Sequence, residues 1–463
     1  MSASSIRLTK KADIDMTTGS IIGHIIRFSI PLLIGNLFQQ LYNTVDTWVV
    51  GNYVSNEAFS AVGSVAPIVN MLIGAFTGLA SGAGVVISQY YGAGRKDKVQ
   101  ESVHTAIVLT LFLAIIFTAI GLLFTPYAVS ITKLHKSSVD DANSYLTIYF
   151  SGLIGLMLYN IGAGIMRAVG DSKRPFYYLV VCAVLNTVLD LLFVIKFKMG
   201  VEGVAIATIL SQGVSAILVI ITLLQTNSCV KLQLSRLKIQ WSILKKMLFV
   251  GIPAALQLGI TAFSNIFVQS YINHFDQGLA SADYMAGWTA YLKIDQLLFL
   301  PMQSISLAVT TFVGQNLGKN QVQRAKQGIT RAVIFATSAT AILMIPVLVF
   351  APSIVGFLNN KPEVIAKGTM FLRWLTPFYI ICCFNQIYAS ALRGAGNSRA
   401  CMFIMLGSFV AFRQIYLFCM ARICNEIIPI AMSYPAGWIV CSIITIIYFQ
   451  RVSLNKTKLV EDN

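Results

Sequence analysis

The sequence predicts an all-α membrane protein with twelve transmembrane helices, arranged as two parallel six-helix lobes related by a pseudo-twofold along the membrane normal. Three observations carry this expectation. Hydrophobic residues make up 56% of the 463 and charged ones only 11%, whereas a soluble domain carries about 25% charge. The apolar residues fall into runs long enough to cross a bilayer, for which about 20 residues are needed. The second half of the chain also repeats the first.

Twelve runs are read, at about 21–50, 58–91, 99–126, 139–167, 175–196, 200–224, 242–272, 281–315, 322–350, 364–393, 399–421 and 427–449. Those longer than 30 residues are expected to tilt, kink or project beyond the hydrocarbon. The repeat appears on shifting the chain by 226 residues. Gln89-Tyr-Tyr-Gly92 then falls on Gln315-Asn-Leu-Gly318, Phe124-Thr-Pro126 on Phe350-Ala-Pro352, and Arg167-Ala-Val-Gly-Asp-Ser172 on Arg393-Gly-Ala-Gly-Asn-Ser398. A shift of 222 superposes Ile30-Pro31 on Ile252-Pro253. Six spans per copy is an even number, so both copies insert with the same orientation. The chain accordingly divides into a tail (1–20), an N-lobe (21–224), a basic linker (225–241), a C-lobe (242–449) and a second tail (450–463).

The net charge of +16 is distributed as an orientation signal. With the N-terminus inside, the inner loops and tails hold 24 Lys and Arg and the outer loops 7, the remaining three lying within spans. That bias places both termini in the cytoplasm of a plasma or inner membrane and removes nucleic acid as a partner. The start of the chain is polar and the first apolar run is too long for a signal-peptide core, so no cleaved signal is expected. The eight Cys lie mostly in apolar runs, with no CxxC and no His at ligand spacing. They read as small core hydrophobes, with no metal and no cofactor expected. No GxSxG, HExxH or P-loop occurs, so an enzyme is not expected. Gly74, Gly78 and Gly82 form GxxxGxxxG in the second span, which reads as close helix packing, or otherwise as a hinge.

Carboxylates within spans cost about 2.5–3.5 kcal/mol each, so each one needs a reason. Asp46 near the outer end of span 1, Asp190 near that of span 5 and Thr208 in span 6 fall at nearly one depth. Asn186 stands one helical turn from Asp190, and Tyr42 likewise from Asp46, with Gln39 extending that face. Two acids, an amide and hydroxyls are a donor set for a dehydrated Na⁺. Two adjacent carboxyls away from water equally favour sharing a proton. A purely structural cluster tying spans 1, 5 and 6 is the alternative. Asp295 in span 8 is either neutralised by Arg413 of span 11 or lines a cleft for cationic substrate. Pro31 removes a backbone hydrogen bond in span 1 and permits a bend coupled to Asp46, or a static kink.

These residues resemble the multidrug and toxic compound extrusion (MATE) family, prokaryotic type, over roughly 20–450. The carriers are Pro31…Gln39…Tyr42…Asp46-Thr-Trp-Val-Val-Gly51, the Gln-x-x-Gly ends of spans 2 and 8, Asn186-x-x-x-Asp190, Thr208 and the doubled Arg-x-x-Gly-(Asp/Asn)-Ser. The resemblance implies an antiporter that expels small cationic or amphipathic compounds in exchange for H⁺ or Na⁺, working as a monomer in the lipid bilayer. It also implies a coupling-ion site of Asp46, Asn186, Asp190 and Thr208, with Gln39 and Tyr42 near substrate; Asp295 as a further substrate contact rests on the reading of span 8 above. Some relatives carry an acid where this chain has Thr261, so coupling is expected to rest on the N-lobe. A lipid or lipid-linked saccharide flippase is the alternative transporter, which would call for more cations lining the cleft.

Overall fold

A computed structural model describes residues 14–131, 136–276, 283–424 and 426–460. Arg7, Lys10, Lys11 and Lys133 of the charge count lie outside the described residues, as do 281 and 282, where the eighth span is expected to begin.

Among the described residues twelve helices are long and apolar enough to span a membrane when one bent pair is taken as a single crossing. They are α1 (Ile21–Tyr53), α2 (Glu57–Gly92), α3 (Lys96–Ser130), α4 (Ser137–Ser151 and Leu153–Ala168), α5 (Lys173–Lys196) and α6 (Gly200–Gln225) in the first lobe. The second lobe holds α7 (Trp241–His274), α8 (Asp283–Gly318), α9 (Val322–Val349), α10 (Pro362–Gly394), α11 (Ser398–Ile423) and α12 (Ile427–Arg451). Two of the starts are set by serine caps. Ser20 Oγ accepts from Gly23 N at 3.2 Å and Ser55 Oγ from Ala58 N at 3.1 Å, satisfying amides that the first turn leaves unpaired.

The fourth span, read as one run over 139–167, is not straight. It bends by 48° at Gly152, where α6 crosses so closely that a Cβ on Gly152 would lie 2.3 Å from Ile209. A continuous helix carrying a side chain there would collide with α6.

The pairings repeat between lobes: α1 lies on α5 as α7 lies on α11, and α4 on α6 as α10 on α12. The lobes meet chiefly through α2, which runs along α7 and also touches α8, while α1 packs on α8. The GxxxGxxxG stripe makes this interface. Cβ atoms built at Gly78 and Gly82 would stand 2.3 and 2.5 Å from α7 backbone atoms, closer than real Cβ atoms come. The stripe is therefore a packing device. The approach loosens along α2 away from the chain tails. At Gly74 the gap to Leu258 is 3.4 Å, Met71 is 3.7 Å from a Cβ on Gly259, and Gly63 meets nothing within 4 Å. Toward the tails it tightens, until a Cβ on Gly92 would lie 1.9 Å from the Gln315 carbonyl oxygen. The lobes are shut at the end bearing both tails and part toward the other.

Candidate functional site

Asp46 projects from α1 and Asp190 from α5, two helices packed along one another. Their carboxyl groups lie within hydrogen-bonding reach of each other. Asp190 is fully buried. Among the described residues no group donates a hydrogen bond to either oxygen of Asp190 or to Oδ1 of Asp46. Ionised carboxylates only accept, so the geometry is satisfied when one proton, or one cation, sits between them.

The residues expected around this pair are placed unevenly. Asn186 is fully buried one turn below Asp190, and among the described residues neither its amide oxygen nor its amide nitrogen has a hydrogen-bond partner. Its amide oxygen is therefore free to accept in the same helix. Thr208 is buried on α6, but its hydroxyl donates to Val204 O at 3.0 Å, leaving only lone pairs for an ion. Tyr42 is buried, with Gln39 within hydrogen-bonding reach and Cys182, Asp46 and Tyr149 around it. Pro31 lies inside α1, which remains helical from Ile21 to Tyr53. The α-helix of the fifth span gives way to a π-helical stretch, Leu191–Lys196, directly after Asp190. Such wide turns are frequent at functional sites.

The sequence reading missed the contribution of α4. Tyr145 and Tyr149 stack with ring centroids 6.2 Å apart and planes at 19°. Tyr149 reaches Gln212 of α6, and both hydroxyls lie within electrostatic range of Asp46. Their i, i+4 spacing was the available signal, one that an ordinary core aromatic pair shares.

In the second lobe, Asp295 accepts hydrogen bonds from the hydroxyls of Tyr379 and Tyr291, which are 3.3 Å from each other. The pairing with Arg413, one of the two readings of Asp295, is not formed among the described residues. Arg413 instead donates from Nη2 to Ser264 Oγ and Asn265 Oδ1, each at 2.9 Å, with its guanidinium 4.9 Å from the Tyr434 ring centroid. Two neutral oxygens and a π face hold the cation where an acid was expected. Thr261 donates from its hydroxyl to Gln257 O at 2.7 Å. No cluster of three or more His, Cys, Asp or Glu suited to a metal ion occurs among the described residues.

Comparison with known proteins adds the family. The MatE family model matches residues 31–192 and 253–416. Its two matched stretches begin at the paired prolines Pro31 and Pro253. The chain is 28% identical over 399 residues to the probable multidrug resistance protein YpnP of Bacillus subtilis, covering 86% of this chain and 88% of that one. It is 26% identical to the probable multidrug resistance protein NorM of Thermotoga maritima, covering 86% and 85%. A solved outward-facing MATE family transporter of the MOP superfamily superposes with a TM-score of 0.88 at 23% identity, covering 96% of this chain and 98% of the other.

Proposed function

The chain belongs to the MatE family, and from that premise we propose that it exports small organic cations in exchange for H⁺ or Na⁺ by alternating access. It is a multi-pass membrane transporter, not an enzyme. The observation that carries the coupling proposal is the facing of Asp46 and Asp190 with no donor to Asp190. The pair is held by α1 and α5 and flanked by the unpartnered Asn186 amide, so a captured proton or cation changes the electrostatics between two helices.

An inward-moving ion lets the pair close as it stands here. Departure of that ion leaves two like charges in apolar surroundings, which favours separation of α1 from α5. Pro31, which lacks the N–H that would tie it to the preceding turn, is the position at which α1 bends in response. Gln39 and Tyr42 present polar atoms on the same face of α1, toward substrate. Asp295 supplies a negative charge in the second lobe for a cationic substrate. Each inward cation crossing a 100 mV potential releases about 2.3 kcal/mol; one-for-one exchange with a monovalent organic cation moves no net charge, so export then draws on the ion's concentration gradient, and on the potential only when more than one ion enters per cargo. The excess of Lys and Arg on the tail side assigns that closed end to the cytoplasm, so the parting of the lobes faces outward.

The test is dye efflux from vesicles under an imposed proton gradient and, separately, an imposed sodium gradient. Ethidium movement driven by one of them supports antiport, and movement indifferent to both rejects it.

A further inference from the structure

Both chain tails lie at the shut end of the molecule, and they are held in equivalent ways. The N-terminal segment runs beside the loop after α4, where Ile14 N donates to Val169 O at 3.0 Å and a Cβ on Gly170 would lie 2.3 Å from Ile14 O. It is then caught by the opposite lobe: Met16 N donates to Gln315 Oε1 at 2.9 Å, and Lys319 Nζ to Thr17 Oγ1 at 2.9 Å. The C-terminal segment runs beside the equivalent loop after α10, where a Cβ on Gly396 would lie 2.8 Å from Thr457 O. It too is caught by the opposite lobe, with Leu459 N donating to Gln89 Oε1 at 2.7 Å. Gly170 and Gly396 share a φ of 90°, a conformation other residues resist.

Each glutamine also bridges the lobes directly. Gln315 Nε2 donates to Ala168 O at the end of α4, and Gln89 Nε2 to Gly394 O at the end of α10, both at 2.9 Å. All the polar atoms of both side chains are used, and both are fully buried. Beside them Gly92 abuts the Gln315 carbonyl and Gly318 that of Gln89, at gaps only glycine permits. If the lobes separated at this end, both direct glutamine bridges would have to break, and each tail, held by a loop of one lobe and a glutamine of the other, would lose one of its two holds.

We infer that Gln89 and Gln315 are conformation-setting residues of the transport cycle, which staple the two tails across the lobe interface and release them when the tail end opens. This rests on the alternating-access reading but not on the carboxyl pair. Each amide clamp contributes two buried hydrogen bonds, so replacing one glutamine by alanine shifts the balance between tail-end-closed and tail-end-open forms about tenfold.

Amide hydrogen exchange on the full chain in lipid nanodiscs reads this without any substrate. In Gln315→Ala, exchange is expected to accelerate at 14–19 and also at 457–460, with the reciprocal result in Gln89→Ala, because both staples depend on one interface. Acceleration confined to the tail whose own partner was removed overturns the inference. A second arm keeps the native glutamines. Thr17→Cys combined with Lys319→Cys, bridged by a short bifunctional thiol reagent, is expected to stop ethidium efflux relative to the parent chain treated alike. Undiminished efflux from the bridged protein overturns the inference as well. A protein that moves no ethidium at all speaks against the proposed function, while the exchange arm still decides the staple.

Discussion

Asp46 of α1 faces Asp190 of α5, and among the described residues nothing donates a hydrogen bond to Asp190. A shared proton accounts for this with the residues present. Infrared spectra of the protein in lipid are expected to show the C=O stretch of a protonated carboxyl, lost in both Asp46→Asn and Asp190→Asn. Persistence of the full band in both variants assigns the proton elsewhere.

The interface between α2 and α7 depends on glycine. Gly82→Leu drives a side chain into backbone 2.5 Å from its first carbon, and overpacking of this kind costs about 1–3 kcal/mol or more. The thermal midpoint in detergent should fall by several degrees. Gly63→Ala meets open space in a helix and should leave the midpoint unchanged or slightly higher. Equal effects from the two variants count against the packing role.

Arg413 and Asp295 are satisfied by different partners, so they should respond separately. Asp295→Asn retains an oxygen to accept from Tyr379 and Tyr291 and should insert and melt close to the parent while losing affinity for cationic dye. Arg413→Ala leaves Asn265 Oδ1 without its donor and removes the Tyr434 contact, while Ser264 keeps Phe409 and Gln414, costing about 1–3 kcal/mol. Rescue of the Arg413→Ala defect by Asp295→Asn would signal an ion pair.

Asp15 ties the N-terminal tail to pH. Burial opposes its charge, but Thr17 donates to it from both Oγ1 and N, and Lys319 and His24 stand nearby, so its carboxyl lies below its ordinary value. The native value is below the unfolded one of about 3.9, so the stabilising contribution is full above that value and is lost as pH falls through the native one. Exchange at the Met16 amide, corrected for its intrinsic rate, should be level from neutral pH to about 5 and rise below about 4. Asp15→Asn should abolish that rise.

Spans and lobes were legible because they are set by length, hydropathy and repetition, which are properties of the chain itself. The acids were legible because charge is scarce in such runs. What escaped depends on contacts between distant segments. The bend at Gly152 is imposed by Ile209 of α6. Tyr145 and Tyr149 look like any core pair until the fold brings their hydroxyls within electrostatic range of Asp46. The tails read as polar ends, yet Met16 is buried against Gln315, 299 positions away. Pairing Asp295 with Arg413 followed charge alone and overlooked that tyrosine hydroxyls and amide oxygens satisfy buried ions equally well.

The most direct test is gradient-driven ethidium efflux from vesicles holding Asp190→Asn at parental amount and with the parental melting midpoint. Two acids sequestered in one bundle and trading an ion for cargo require that efflux fall at least tenfold, to the level of empty vesicles. Gradient-driven efflux at the parental rate would show that coupling resides elsewhere.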